Sequence, residues 1–193
     1  MHNQGQTKPS QWLHHPSVVV VYGRRGSGKS TLIRALCASW DAPGRVGLVD
    51  AISADKELYA DKLWREVPTL AELKGFSLLC VDEADLYLPQ RQAARRSPVL
   101  TELLRRGRHY GLTLVLATQR PSALAYDAWS LADSAFIFSL TSEVDLRRAA
   151  ELDAIIGTHK EQISRLEVGT CYHWRAHESE RVQLTKISAP IAS

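Results

Sequence analysis

Residues 18–31 read VVVVYGRRGSGKST, and the reading of this stretch decides the fold. Val18–Tyr22 is a short apolar run rich in β-branched residues, the mark of a strand buried on both faces. Gly23-Arg24-Arg25-Gly26-Ser27-Gly28-Lys29-Ser30 follows at once and matches the phosphate-loop pattern G-x-x-x-x-G-K-[ST]. The glycines let the backbone turn sharply and aim its N–H groups at an anion. Thr31–Trp40 then predicts a helix whose N-terminus presents its positive dipole end to the phosphates. In such a loop Lys29 reaches the β- and γ-phosphates and the Ser30 hydroxyl holds Mg²⁺. Residues 23–31 are therefore the candidate nucleotide-binding set, with ATP and Mg²⁺ as the expected ligands.

The chain has 193 residues, a length that fits one domain over residues 18–193 behind a polar lead-in over residues 1–17. That is long enough to bury a six- or seven-strand core. The net charge is +3, only mildly basic, but the arginines are unevenly placed. Cys37, Cys80 and Cys171 stand alone without metal-like spacing. Cys80 lies within an apolar run and belongs to the core. An odd, unpaired set points to a reducing, cytoplasmic setting. No run of about 18 apolar residues suggests a membrane span, and the N-terminus lacks a signal-peptide apolar region. His14-His15 has no partner at metal-ligand spacing and reads as a surface pair.

Beyond the loop, Asp41-Ala-Pro-Gly44 ends the first helix in a turn, and Arg45–Asp50 reads as a second strand. Residues 51–73 carry weak helical periodicity, broken at Pro68. Phe76–Val81 and Leu112–Ala117 are further apolar strands, and Arg91–Tyr110 between them reads as a helix with a long charged face, starting at residue 91 or after Ser97-Pro98. Ala135–Leu140 is another strand, Glu143–Ile156 an amphipathic helix and Lys160–Leu166 a short one. Gly169–Trp174 and Arg181–Leu184 read as a terminal hairpin at a sheet edge. Alternating strands and helices predict a mostly parallel sheet covered on both faces, an α/β fold.

Three constellations carry chemistry. The strand Phe76–Val81 ends in Asp82-Glu83, which places two carboxylates at the carboxyl edge of the sheet, where ligands bind in open α/β folds. Asp82 would hold Mg²⁺, and Glu83 would orient and deprotonate an attacking water. Alternatively, Glu83 is a plain surface acid, as in transferases that exclude water. Gln119 follows the next buried strand to the same edge, where an amide can bond the γ-phosphate or the water. Arg91, Arg95, Arg96, Arg105, Arg106 and Arg108 fall within eighteen residues between these two strands, a run with Glu102 as its only acid. Such a run is usually a solvated face. Next to a nucleotide site it could also supply an arginine finger to a neighbouring subunit, or contact DNA phosphates. No aromatics interleave it to stack single-stranded bases.

Three blocks, GRRGSGKST, LLCVDEAD and above all RRGRHYGLTLVLATQRPS, resemble the FtsK–HerA superfamily of DNA-pumping ATPases over roughly residues 18–140. The resemblance implies a RecA-like (ASCE) P-loop NTPase fold. It also implies the roles above for Lys29, Ser30, Asp82 and Glu83, Gln119 as the polar sensor, and Arg108 as the finger, with Arg105 and Arg106 as rivals. The chain is shorter than most of the superfamily, with no membrane anchor, winged-helix domain or N-terminal β-barrel expected. In that it is similar to the compact genome-packaging ATPases of membrane-containing icosahedral viruses. This implies a translocase of double-stranded DNA, working as a homo-hexamer in the host cytoplasm or at a virion vertex, beside a capsid or membrane-vertex protein.

The alternatives are another DNA pump of the superfamily, a small-molecule kinase with the arginines as a lid, or an ATP-switched assembly or secretion partner. A guanine-reading N-K-x-D and the LSGGQ signature are both absent.

Overall fold

The computed structural model describes residues 9–51, 59–176 and, as backbone, 185–188. Strand β1 (Val18–Tyr22) is buried at every position. It leads through the glycine-rich loop into helix α1 (Lys29–Ser39), then β2 (Arg45–Val49), β3 (Lys62–Trp64) and β4 (Phe76–Val81). Helix α2 (Pro98–Arg106) begins where Ser97 caps it: Ser97 Oγ accepts from Leu100 N, and Pro98 fills the first helical position, where no N–H is needed. Next come β5 (Thr113–Thr118), α3 (Tyr126–Ser130), β6 (Ser134–Ile137), α4 (Glu143–Ala150), α5 (Ala154–Thr158), α6 (Lys160–Ser164), β7 (Thr170–Arg175) and β8 (Thr185–Ser188).

The strands form one eight-stranded sheet in the order β3-β2-β4-β5-β1-β6-β7-β8. Every pair from β3 to β6 is parallel; β6–β7 and β7–β8 are antiparallel. The fold class expected from the sequence is the one observed. Because side chains alternate along a strand, β1 feeds two cores. Val18, Val20 and Tyr22 join the cluster beneath α2–α6, while Val19 and Val21 pack against Leu32, Ile33 and Leu36 of α1. The loop between β1 and α1 is thus anchored from both faces of the sheet.

Several expectations are corrected. Residues 9–17, read as part of a polar lead-in, pack onto the domain. Trp12 and Leu13 cover the α1-side core, and the Trp12 ring lies 6.1 Å from that of Phe136. Ser10 N donates to Ser39 Oγ at 3.2 Å, and His15 sits edge-on to Trp40 with ring centres 5.4 Å apart. Two bulky apolar side chains in a polar segment suffice to dock it.

Within residues 51–73, a strand (β3) stands where helical periodicity was read; residues 52–58 lie outside the described set. The helix expected over residues 143–156 breaks in two because Asp153 turns its carboxylate to Ile155 N and starts α5. The last strand lies at Thr185–Ser188 and pairs antiparallel with β7, so a terminal hairpin is present, whereas residues 181–184 lie outside the described set. Among the described residues no helix is long and apolar enough to cross a membrane.

Candidate functional site

The carboxyl ends of β1, β4 and β5 gather the predicted residues at one edge of the sheet. Gly23 closes β1 at a point where nothing larger fits. A Cβ there would stand 2.5 Å from Ser27 Oγ and 2.6 Å from Phe138 Cβ. Gly28 has φ 116°, a region that side chains rarely adopt. The loop between them is fastened from outside: Arg24 N donates to Ser139 O at 2.9 Å, and Gly169 N donates to Ser27 O at 2.9 Å. Arg24, Arg25 and Gly26 are exposed, and Thr31 sits half-buried in the first turn of α1.

Lys29 is buried, and its ammonium donates to Arg24 O at 3.2 Å. Burial lowers its pKa, against the pull of Asp82, Glu83 and Asp85. Ser30 Oγ donates to Asp82 Oδ2 at 3.0 Å, which joins the start of α1 to the end of β4. Burial raises the Asp82 pKa, and Asp50 at the end of β2 adds to it; hydrogen bonds from Glu83 N and Ser30 work against it. A buried carboxylate strained in this way is one that a cation relieves. Two hard oxygens about an octahedral edge apart suit Mg²⁺, whose bonds are about 2.1 Å long. The residues present therefore fit the ion.

Glu83 has φ 51°, an uncommon left-handed backbone for a residue other than glycine. Burial raises its pKa, and the Gln119 amide, which donates to Glu83 Oε1, opposes the rise. Strained backbone and raised proton affinity in a carboxylate beside a phosphate loop suit a general base.

Reading the sequence missed Asp85. It accepts from Thr118 Oγ1 at 2.6 Å and so ties β4's exit to β5's end, and its charge acts on both Lys29 and Glu83. The signal was there, in the last letter of VDEAD. Also missed was the chain before β7, whose Gly169 braces the loop. No sequence pattern marks it.

The arginines are not part of this cluster. Arg108 precedes β5 and Gln119 follows it, so the strand's six residues set them about 20 Å apart, at opposite edges of the sheet. Arg108 pairs with Asp133 and lines an open cavity of about 590 Å³ with Tyr126, Trp129 and Trp174. Arg105 lies 3.5 Å from Asp127 and Arg106 lies 3.3 Å from Glu102. Arg95 bonds Gln92 Oε1 at 2.9 Å. Arg96 spends its guanidinium on Pro89 O and Gln90 O, at 3.0 and 3.2 Å. Arg91 is exposed and, among the described residues, makes no hydrogen bond or ion pair. No group of three or more His, Cys, Asp or Glu is placed to hold a metal among the described residues.

A family model described as novel STAND NTPase 6 matches residues 4–93, which hold β1, the phosphate loop and β4. No curated protein matches the chain. Among solved structures, the genome packaging NTPase B204 from Sulfolobus turreted icosahedral virus 2, in complex with sulfate, superposes with a TM-score of 0.72 at 22% identity, over 93% of this chain and 99% of that one. The N-terminal domain of zonular occludens toxin from Neisseria meningitidis has a TM-score of 0.55 at 16% identity, over 92% of this chain and 96% of that domain. The cytoplasmic domain of the type VII secretion ATPase EccC from Thermomonospora curvata has a TM-score of 0.59 at 15% identity; 92% of this chain matches 24% of that one. The resemblance read from sequence motifs thus extends to the fold, which is that of P-loop ATPases.

Proposed function

We propose that this chain is an ATPase that drives double-stranded DNA, packaging a viral genome. One observation carries the hydrolytic part: Lys29, Ser30, Asp82, Glu83 and Gln119 converge at a single sheet edge around a loop braced for an anion. The loop N–H groups and Lys29 would hold the β- and γ-phosphates and offset charge as it develops. Ser30 and Asp82 would hold Mg²⁺, which supplies Lewis-acid polarisation of the phosphate oxygens. Glu83 takes a proton from a water as its oxygen attacks the γ-phosphorus and the bond to ADP breaks. Gln119 keeps the Glu83 carboxylate aimed at that water.

The pumping part is supported by the motif resemblance and by the fold shared with a viral genome packaging NTPase. A ring of identical subunits, six in this reading, would bring a neighbour's arginine to each site. Arg108 is more than half exposed, and Asp133, its partner, keeps the hydrogen bond from Val18 N when the arginine swings away. Arg105 and Arg106 are exposed too. Arg91 and Arg95 suit DNA phosphates, while Arg96 is occupied in pinning the loop at residues 89–90. The ring would work beside a capsid or membrane-vertex protein.

The test is steady-state ATP hydrolysis across a titration of duplex DNA at two salt concentrations, with Glu83→Gln as control. The expected result is stimulation that weakens steeply with salt, since phosphate contacts release counterions, and loss of turnover in the control. A flat response with turnover still dependent on Glu83 leaves an ATPase whose partner is not DNA. A Glu83→Gln enzyme that keeps its turnover removes the hydrolytic reading.

A further inference from the structure

The phosphate loop has two flanks. On one stand β5 and β4, whose ends carry Gln119, Asp82 and Glu83. These acids mark where the terminal phosphate would lie. On the other flank stand β6 and β7. A triphosphate with its last phosphate at the acids sends its nucleoside toward the second flank.

The chain segment waiting there is Glu167-Val168-Gly169, between α6 and β7. It is held rigidly against the phosphate loop. Gly169 N donates to Ser27 O at 2.9 Å, and Gly169 Cα lies 3.2 Å from where a Cβ on Gly28 would stand. Thr170 N donates to Glu167 O at 3.1 Å and closes the turn, which Gly169 completes at φ 80°. From behind, Ser139 links Arg24 N to Ser164 O. Leu166 is buried in the core, yet Val168, two residues on, is 70% exposed, more than any other large apolar side chain described. A lone exposed valine needs no explanation. This one is different because its neighbour is hydrogen-bonded to the phosphate loop, on the flank a nucleoside must take.

The geometry points to Val168 as the shelf on which the base of a bound nucleoside triphosphate rests. The inference builds on the nucleotide-binding reading above and adds the subsite for the base. An aliphatic face offers dispersion and burial to any ring but no donor or acceptor to read its edge. The shelf therefore senses the area of the base, not its hydrogen-bonding pattern. ATP and GTP are held about equally, within roughly threefold, because their ring systems bury similar area at about 25 cal/mol per Å².

The experiment is calorimetric titration of the full chain with ATP, GTP and inorganic tripolyphosphate, each with Mg²⁺, for the native protein and Val168→Ser. Tripolyphosphate fills the phosphate loop and has no base. The expected result is that the native chain binds both nucleotides roughly tenfold more tightly than tripolyphosphate, about 1.4 kcal/mol. Val168→Ser, which removes the aliphatic face without adding charge, should erase most of that advantage and leave tripolyphosphate binding unchanged, which also shows the variant is folded. If Val168→Ser binds ATP like the native chain, or loses both ligands equally, the shelf is overturned and the nucleotide site stands. A native chain that binds none of the three overturns the site and the shelf together.

Discussion

The side-chain amide of Gln119 donates to the carboxylate of Glu83, so the last side chain of one buried strand's exit is held by the next. This bond favours the charged form of an acid whose burial favours the neutral one. Gln119→Ala removes the favouring partner, so the Glu83 pKa climbs further. A base fails when it is protonated. The acid limb of the ATPase pH–rate profile should therefore move to higher pH, and kcat at neutral pH should fall by roughly tenfold with KM little changed. A profile that drops in height without shifting would mean that Gln119 acts on the phosphate and not on Glu83.

Asp133 joins two parts of the chain. Its Oδ2 accepts from Val18 N at 2.8 Å, and its Oδ1 accepts from Arg108. Asp133→Ala leaves the first backbone donor of β1 without its partner and should cost about 1–3 kcal/mol. Arg108→Ala removes only the exposed half of the arrangement and should cost under about 1 kcal/mol. Urea unfolding of the two variants separates these values. If Arg108 is the finger, its variant also loses ATPase by about 10³-fold while staying folded.

Gly23 and Gly26 sit in one loop but make different demands. A methyl at Gly23 meets Ser27 Oγ and Phe138 Cβ well inside contact distance, whereas a methyl at Gly26 meets nothing within 4 Å among the described residues. Gly26 has φ 74°, so alanine there carries only backbone strain, about 1–2 kcal/mol. Gly23→Ala should distort the loop, cost about 1–3 kcal/mol through overpacking and abolish ATP binding. Gly26→Ala should weaken binding mildly. Thermal shift with and without ATP ranks the two; equal effects would show that strain, not contact, governs the loop.

The parts legible in the sequence were those with a local cause. β1, β4 and β5 are runs buried on both faces, so their composition alone marks them, and the polar residues ending each run fall at one edge by topology. β3 was not legible: Lys62-Leu63-Trp64 is three half-buried residues, too few for any period. The docking of Trp12 and Leu13 depends on a surface that α1 and the sheet create only once folded. The Glu83–Gln119 and Asp85–Thr118 bonds cross 36 and 33 positions, so no local window holds both partners. Val168 shows the same limit. Its sequence neighbours suggest an ordinary turn, and only the Gly169–Ser27 bond sets it beside the phosphate loop.

His173 offers a test of the core rather than the site. It is 6% exposed, its ring lies flat on Phe136 with centres 4.3 Å apart, and among the described residues its buried Nε2 has no hydrogen-bond partner. Burial, helped by the charges of Arg175 and His14, lowers its pKa from 6.5 to about 3. The folded chain therefore keeps this ring neutral where the unfolded chain would protonate it. Between pH 6.5 and about 3 the unfolded state holds more protons, so stability is complete above 6.5 and falls as the pH drops through that window. The loss is on the order of 4 kcal/mol by its lower end. His173→Phe keeps a flat ring against Phe136 and cannot titrate. Its Tm should fall less than the native Tm between pH 7 and pH 4, with the gap between the two widening steadily as acid is added. Parallel Tm curves over that range would show that the buried imidazole is already solvated or protonated in the folded chain.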